Sequence, residues 1–432
     1  MTSHKPVRIL LSEGSSLSAR ETLTALGLAG YEVDVCDPNP LCLGRVSRFV
    51  HHFYRCPALG EDPAAYLQFI LQRLDEEHYD VLLPVHEQAF LFARVREQLQ
   101  ARVGLAVADF PSFLRLQGKI SFVRLLEELD LPHPPSEVVH SERGLRARRR
   151  MPFFVKAEYG TAESGVWRVD RADDLDRVAA TLKSRGLLNR ENGVVVQEAE
   201  AGALERAQAV CDAGRLVALH TYRQRREGPR GGDVAKVSVR RPDVRADVAR
   251  IGEQLHWHGA LSLDYLFDEE SGPSFIDSNP RIVEPMNALF SGIDLAGVLV
   301  RISLGEPVEP LPPGREGVRT HLALMALLEE AIESGSRIGV LGRLGEILLG
   351  WGEYADSREE LTPVRLDPPS VIPVIAVLTR LLLNPGSAPT VAGKAVTAYS
   401  LTAKAVRAVI DMGARPRRRH VGSRAPVLAA HR

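Results

Sequence analysis

The first hundred residues alternate between short apolar runs and stretches of helical spacing, and no other feature of the chain limits its fold so tightly. Val7–Ser12 is an apolar run, Leu17–Leu28 has helical periodicity, and Tyr31–Cys36 reads as a second strand. Tyr66–Glu77 reads as a helix, Asp80–Pro84 as a strand and Glu87–Gln100 as another helix. Strands that alternate with helices return to the same edge, so the expectation is a parallel α/β layer with helices on its faces. The turn after the first strand, Glu13-Gly14-Ser15-Ser16, is not G-x-G-x-x-G, so the dinucleotide fingerprint is missing.

Proline-rich breaks follow at Asp109-Phe110-Pro111 and across Asp130–Pro135, with a short helix expected over Gly118–Glu128. From Met151 to Asn279 the pattern becomes strands joined by glycine-rich turns, with helices near Asp173–Arg185 and Val244–Leu255. Pro307–Pro313 closes this block, and Val318–Ala331, Ile338–Gly350, Val371–Leu383 and Ala392–Met412 read as helices. The stretch from Gly413 is Arg-rich without periodicity, which reads as disorder. The chain therefore divides into 1–110, 111–305, 306–412 and 413–432.

Composition narrows the class. With 432 residues, 45% hydrophobic and 25% charged, wholesale disorder and fibrous classes are excluded. A formal charge of −1, from 54 basic and 55 acidic residues, lacks the footprint of a nucleic-acid binder. Only 7 of the basic residues are lysines, so each lysine is informative. Cys36, Cys42, Cys56 and Cys211 show no CxxC spacing and suit a reducing cytoplasm. The longest apolar stretch, Val371–Leu383, is broken by Pro373 and Arg380 and is too short to span a bilayer. A helix packed on the core is the expectation there, ahead of a membrane-peripheral one.

Four segments could carry chemistry. Leu261–Phe267 and Ser274–Asn279 flank turn chemistry at Asp268–Pro273, which predicts a β-hairpin. Pairing Phe267 with Ser274 sets Asp264 opposite Asp277, with Asn279 on the same face. Two opposed carboxylates and an amide oxygen suit a hard divalent cation, and equally a solvated hairpin with surface aspartates. In the second segment, a strand ends in Lys156 and runs into Gly160, Thr161, Ala162, Ser164 and Gly165. Such a loop can close its N–H groups on phosphate, or be an ordinary hairpin loop. Third, Gly193–Glu198 leaves a strand into Gln197, Glu198, Glu200 and Glu205, either an adenine- and ribose-binding edge or a core strand leaving into an acidic loop. Fourth, Tyr222–Lys236 is a basic, glycine-containing stretch, either a solvated charge run or a mobile cationic lid.

In this order the four segments resemble the ATP-grasp superfamily of carboxylate ligases across most of residues 1–305. The most specific part is Asp264, Asp277 and Asn279, with Asp277-Ser278-Asn279-Pro280-Arg281 matching the family's acidic-x-Asn-x-Arg ending. The resemblance implies a Rossmann-like parallel N-terminal domain, a two-lobed α+β ATP-grasp fold and a mostly helical C-terminal extension. It implies Lys119 and Lys156 as phosphate lysines, Gly160, Ser164 and Gly165 as the glycine-rich lid, and Gln197, Glu198 and Glu200 as the adenine hinge. Glu205 would be the ribose carboxylate, Asp264, Asp277 and Asn279 the ligands of Mg²⁺ or Mn²⁺, and Arg223 and Arg281 the catalytic basic residues. Gly118 stands where the family commonly has aspartate, and Asp277 where it usually has glutamate. The implied reaction joins a small-molecule carboxylate to an amine through an acyl phosphate, releasing ADP and phosphate. A carboxylase or kinase with the same grip on ATP, or a non-catalytic ATP-binding protein, is the alternative. The implied enzyme is cytoplasmic, with no nucleic-acid partner and no membrane span, and a homodimer is among the assemblies it allows.

Overall fold

The computed structural model describes residues 5–147, 150–160, 165–189, 192–399 and 401–412. Residues 413–432, expected to be disordered, lie outside them. The first sheet contains β1 (Arg8–Leu11), β2 (Glu32–Asp37), β3 (Val50–Arg55) and β4 (Val81–Leu83) in the order β3-β2-β1-β4. Every pairing is parallel, as the strand–helix alternation requires. Ile9, Leu10, Leu11, Val33 and Leu82 are fully buried, because helices cover both faces of the sheet. The helix Leu17–Leu28 has the bounds its periodicity predicts, capped by Ser16, whose side chain accepts from the Ala19 amide. β3 was missed: its sequence, Val-His-His-Phe-Tyr-Arg, is an edge strand with little apolar alternation. A helix at Phe110–Gln117 occupies an expected break, since Asp109 caps it and Pro111 falls in the first turn, where no N–H is needed.

The second sheet holds β5 (Ser136–Val139), β6 (Phe153–Ala157), β7 (Val166–Val169) and β8 (Val194–Glu198), ordered β5-β8-β6-β7 and antiparallel throughout. The helix Ala172–Ser184 packs Leu175, Val178 and Leu182 onto Phe153, Val155 and Val196. Lys156 alternates with Val155, so it projects from the opposite face.

The third sheet has seven strands: β9 (Ala203–Asp212), β10 (Arg215–Glu227), β11 (Asp233–Val239), β12 (Gly259–Asp268), β13 (Gly272–Asn279), β14 (Arg319–His321) and β15 (Ser357–Glu359). Their order is β13-β12-β9-β10-β11-β14-β15. Two expectations are corrected here. The basic stretch Tyr222–Lys236 is not a mobile lid but the paired hairpin β10–β11, with Lys236 fully buried. Arg225 and Arg226 pin it to Glu353 and Glu329. Val318–Ala331 is not one helix: β14 precedes the helix Ala323–Ser334. Together β14 and β15 carry the sheet beyond residue 305, so the C-terminal stretch is mostly helical but shares its core with the rest. Val371–Leu383 is a helix, yet it leaves most of its apolar side chains outside the core, with Leu381 its one buried residue.

The C-terminal stretch is also riveted to the first helix. Arg20 and Asp367 are fully buried and 2.6 Å apart, and Asp367 also accepts from the Ser47 hydroxyl and the Arg48 amide. Removing one partner strands a buried charge. Asp367→Ala should therefore cost about 3–5 kcal/mol in chemical denaturation, whereas the double replacement Arg20→Met with Asp367→Leu should recover most of that loss.

Candidate functional site

The β12–β13 ladder pairs Asp264 with Asp277 and Ser262 with Asn279. The expected pairing of Phe267 with Ser274 is wrong, however: Phe267 faces Pro273, and Leu266 faces Ser274. A β-bulge at Ile276 supplies the missing residue and restores the aspartates to register. The bulge leaves a carbonyl for other use, and Lys156 Nζ donates to the Ile276 oxygen at 2.7 Å. Lys119, the first residue of the helix Lys119–Glu128, makes an ion pair with Asp277. Both lysines are buried, at 9% and 7% exposure, so their charges face each other and the aspartates in a dry setting.

The electrostatics follow. Burial lowers the Lys156 ammonium to about 8; Lys119 pushes it the same way, while Asp277 and Asp264 oppose the change. Burial would raise the Asp277 carboxyl, but Lys119 and Lys156 outweigh it and hold Asp277 below the usual range. Burial lifts Asp264 to about 6, with Arg206 acting against it and Asp277 with it. Like-charged residues directly opposed on a ladder destabilise it unless cations intervene.

Gly118 has a physical reason. Glu158, at the end of β6, accepts from the Ile120 amide at 2.7 Å and so serves the helix N-terminus from another strand. A Cβ on residue 118 would stand 2.0 Å from Glu158 Oε1, so a larger residue there would have to displace the Glu158 carboxylate from the helix start. The stem of the glycine-rich loop is pinched: a Cβ on Gly165 would meet Gly160 Cα at 3.3 Å. Ser164, with Thr161 and Ala162, lies outside the described residues.

At the other end of the site, Arg281 donates to Asn279 Oδ1 at 2.8 Å and lies 3.7 Å from Glu87, just past the end of β4. Its Nε is buried without a hydrogen-bond partner. The first sheet thus presents its C-terminal edge to the site, as open α/β layers do. Its first turn offers no anion site: the Gly14 amide donates to Asp37, and the Ser15 and Ser16 amides to Glu13.

The β8 end is connected as well. Glu200 accepts from the Ser274 hydroxyl at 2.6 Å, tying the hinge to the metal-type hairpin. The Gln197 amide group is buried on Ser136 Oγ, and the Glu198 and Ala199 amides donate to Pro135 and Pro152. Two expected residues are not brought to the site. Glu205 is fully buried on the reverse face, accepting from Arg223, Arg241 and Tyr265. Arg223 is beside it there, its guanidinium committed to Glu205 and Glu269. Strand alternation decides this: Glu205 pairs with Tyr265 and Arg223, one position off the Asp264–Arg206 pair, and so faces the other side.

Sequence reasoning missed Arg206, which is directly opposite Asp264 and bridges it (3.3 Å) to Asp233 (2.5 Å). Cross-strand pairing to Asp264 would have found it had β9 been placed. It also missed the role of Lys236, whose Nζ contacts Glu284 at 2.5 Å and Glu360 at 2.7 Å. Glu21 completes this group, the three carboxylates lying within 4.8 Å of one another.

The arrangement of the three sheets agrees with that of solved structures. The chain has the ATP-grasp fold. L-amino acid ligase from Bacillus licheniformis matches 71% of this chain and 76% of its own, at 16% identity and TM-score 0.52. N5-carboxyaminoimidazole synthetase from Staphylococcus aureus with ADP matches 78% and 88%, at 16% identity and TM-score 0.55. The biotin carboxylase domain of Hydrogenobacter thermophilus 2-oxoglutarate carboxylase, with MgADP and bicarbonate, matches 73% and 74%, at 15% identity and TM-score 0.57. No family model matches the sequence.

The buried lysine–carboxylate group supplies a pH test. Burial lifts Glu360 to about 7 against 4.5 for the free carboxyl, with Lys236 opposing. Between those values the folded chain keeps a proton that the unfolded chain has lost, so stability falls as pH rises through that window. Denaturation of Glu360→Gln across it should show a shallower loss than the unaltered protein.

Proposed function

We propose that this protein is an ADP-forming, ATP-dependent carboxylate–amine ligase. The observation that carries the reading is the convergence of Lys119 and Lys156, from separate elements, on Asp264, Asp277 and Asn279 across one sheet face. Opposed carboxylates with an amide oxygen are a hard donor set, and they would hold Mg²⁺ or Mn²⁺. Such a cation, when bound, neutralises the β- and γ-phosphate oxygens.

The chain's own groups do the rest. Lys119 and Lys156 offset charge on the transferring phosphoryl group. Arg206 is a positioning residue that keeps the Asp264 carboxylate aimed across the ladder. Because the Glu198 and Ala199 amides are engaged, a purine edge is met from Glu200 onward, with Gln197 bracing the hinge. The substrate carboxylate attacks the γ-phosphorus, the bond to ADP breaks, and an acyl phosphate forms. The amine then attacks the acyl carbon, phosphate leaves, and the nitrogen loses a proton. Arg281, with its buried, unpartnered Nε, is suited to the carboxylate or the acyl-phosphate oxyanion. Three residues beyond it, Glu284 joins Glu21 and Glu360 around the buried Lys236.

Lys156→Ala should weaken ATP binding by about tenfold or more in calorimetry, the range for a lost charge-assisted contact, while Lys183→Ala on a surface helix leaves it unchanged. Asp277→Ala and Asn279→Ala should abolish turnover with unaltered circular dichroism. A screen of carboxylates, each with and without amines, should find ADP release that depends on both. With the carboxylate ¹⁸O-labelled, one label should appear in phosphate, and hydroxylamine should trap a hydroxamate. Formation of AMP and pyrophosphate, or ADP release with bicarbonate in place of the amine pair, would refute the ligase reading.

A further inference from the structure

Adjacent residues of a strand point to opposite faces, yet the side chains of His51 and His52 on β3 converge. The register of β2 against β3 is the cause. Val33 pairs with Val50 and Val35 with Phe53, so the single residue Asp34 stands opposite both histidines. This is a β-bulge on an edge strand, a device that re-aims side chains. His51 Nδ1 is 3.1 Å from Asp34 Oδ1, His52 Nδ1 is 3.6 Å from the same oxygen, and the two ring nitrogens are 2.8 Å apart.

Hydrogen bonding alone does not satisfy this triangle. A ring nitrogen holds either one proton or one lone pair. His51 Nδ1 therefore makes one full hydrogen bond, to Asp34 or with His52, and its other close contact goes without. A cation between the three atoms serves all of them at once. Around a tetrahedral ion with bonds of about 2.0–2.1 Å, ligand atoms stand about 3.3–3.4 Å apart. The three separations here bracket that value.

The carboxylate is held ready. Asp34 is buried, its Oδ2 accepts from the Tyr79 hydroxyl at 2.6 Å and from Arg8 at 3.1 Å, and its Oδ1 also accepts from the His52 amide at 3.0 Å. Outer partners of this sort fix a ligand's orientation. The Arg8 charge is balanced in turn by Glu32 at 2.7 Å and Glu77 at 3.5 Å, and Glu32 Oε1 lies 3.4 Å from His51 Nδ1 at the rim. Both imidazoles are exposed, so an ion enters from solvent and water completes its shell. Imidazole nitrogens with a carboxylate suit zinc and its neighbours in the transition series, whereas Mg²⁺ and Ca²⁺ take oxygen ligands. Asp34 lies in the first half of β2, and it is the C-terminal edge of this sheet that faces the aspartate hairpin. The triad is thus a separate place, where an ion would fasten the edge strand to its neighbour.

We propose that Asp34, His51 and His52 bind Zn²⁺ or a neighbouring divalent transition metal. The proposal is independent of the ligase reading. Its test is calorimetric titration of the untagged, chelator-stripped full chain with Zn²⁺, with Mg²⁺ in excess to cover the aspartate hairpin. One Zn²⁺ per chain is expected. His51→Ala and His52→Ala should each weaken it by about tenfold or more, since a lost ligand costs at least as much as a lost outer partner. His78→Ala, at another exposed histidine of the same layer, should leave it unchanged. Zn²⁺ should also raise the melting temperature of the unaltered protein and not that of the His51→Ala, His52→Ala double variant. Zn²⁺ bound no better by the unaltered protein than by that double variant would overturn the proposal. So would binding that Asp277→Ala removes and the histidine substitutions leave intact, which would put the ion on the aspartate hairpin instead.

Discussion

The repulsion between Asp264 and Asp277 organises the centre of this molecule. Neighbouring strands hold the two carboxylates opposite each other, and a ladder tolerates that only with positive charge close by. Lys119 arrives from a helix start, Lys156 from the second sheet, and Arg206 from the adjoining strand. Each comes from a different part of the fold, so holding the aspartates together holds the lobes together. The same arrangement leaves the site electrically prepared for a polyanion, because the two lysines also repel each other where the Ile276 carbonyl is the nearest neutral acceptor of Lys156.

Much of this was legible in the residues. Strand–helix alternation predicts the parallel first sheet, and turn chemistry at Asp268–Pro273 predicts the hairpin. The pairing of Asp264 with Asp277 followed from a register that is wrong at the turn, and the bulge at Ile276 corrects it before the aspartates are reached. A bulge depends on tertiary demand, here the acceptor for Lys156, and leaves no local pattern to read. Glu205 and Arg223 failed for the complementary reason. Strand face depends on parity, and Glu205 and Arg223, paired with each other and one position off the Asp264–Arg206 pair, lie on the reverse side, where Arg241 and Tyr265 complete a closed network.

The basic hairpin β10–β11 shows a different limit. Arginines and glycines in sequence suit a solvated loop, but Arg225 and Arg226 have partners more than a hundred residues away, in Glu353 and Glu329. Long-range charge pairing of this kind is invisible to any local window. Arg20 with Asp367, and Lys236 with Glu360, belong to the same category, and they explain why the C-terminal stretch shares a sheet with the part that binds the aspartate hairpin.

Lys236 is surrounded by one acid from the first helix, one from the loop after the hairpin, and one from the end of the chain's last strand. Its carboxylate partners are thus drawn from three distant stretches of sequence. A shortened protein ending at residue 305 would lose Glu360 and Asp367 at once, leaving buried Arg20 without its carboxylate and Lys236 without one of its three. The part of the chain that resembles solved ATP-grasp structures is therefore not a transplantable module: excised, it would be expected to aggregate or remain unfolded, and any hybrid built from it must carry the terminal strands along.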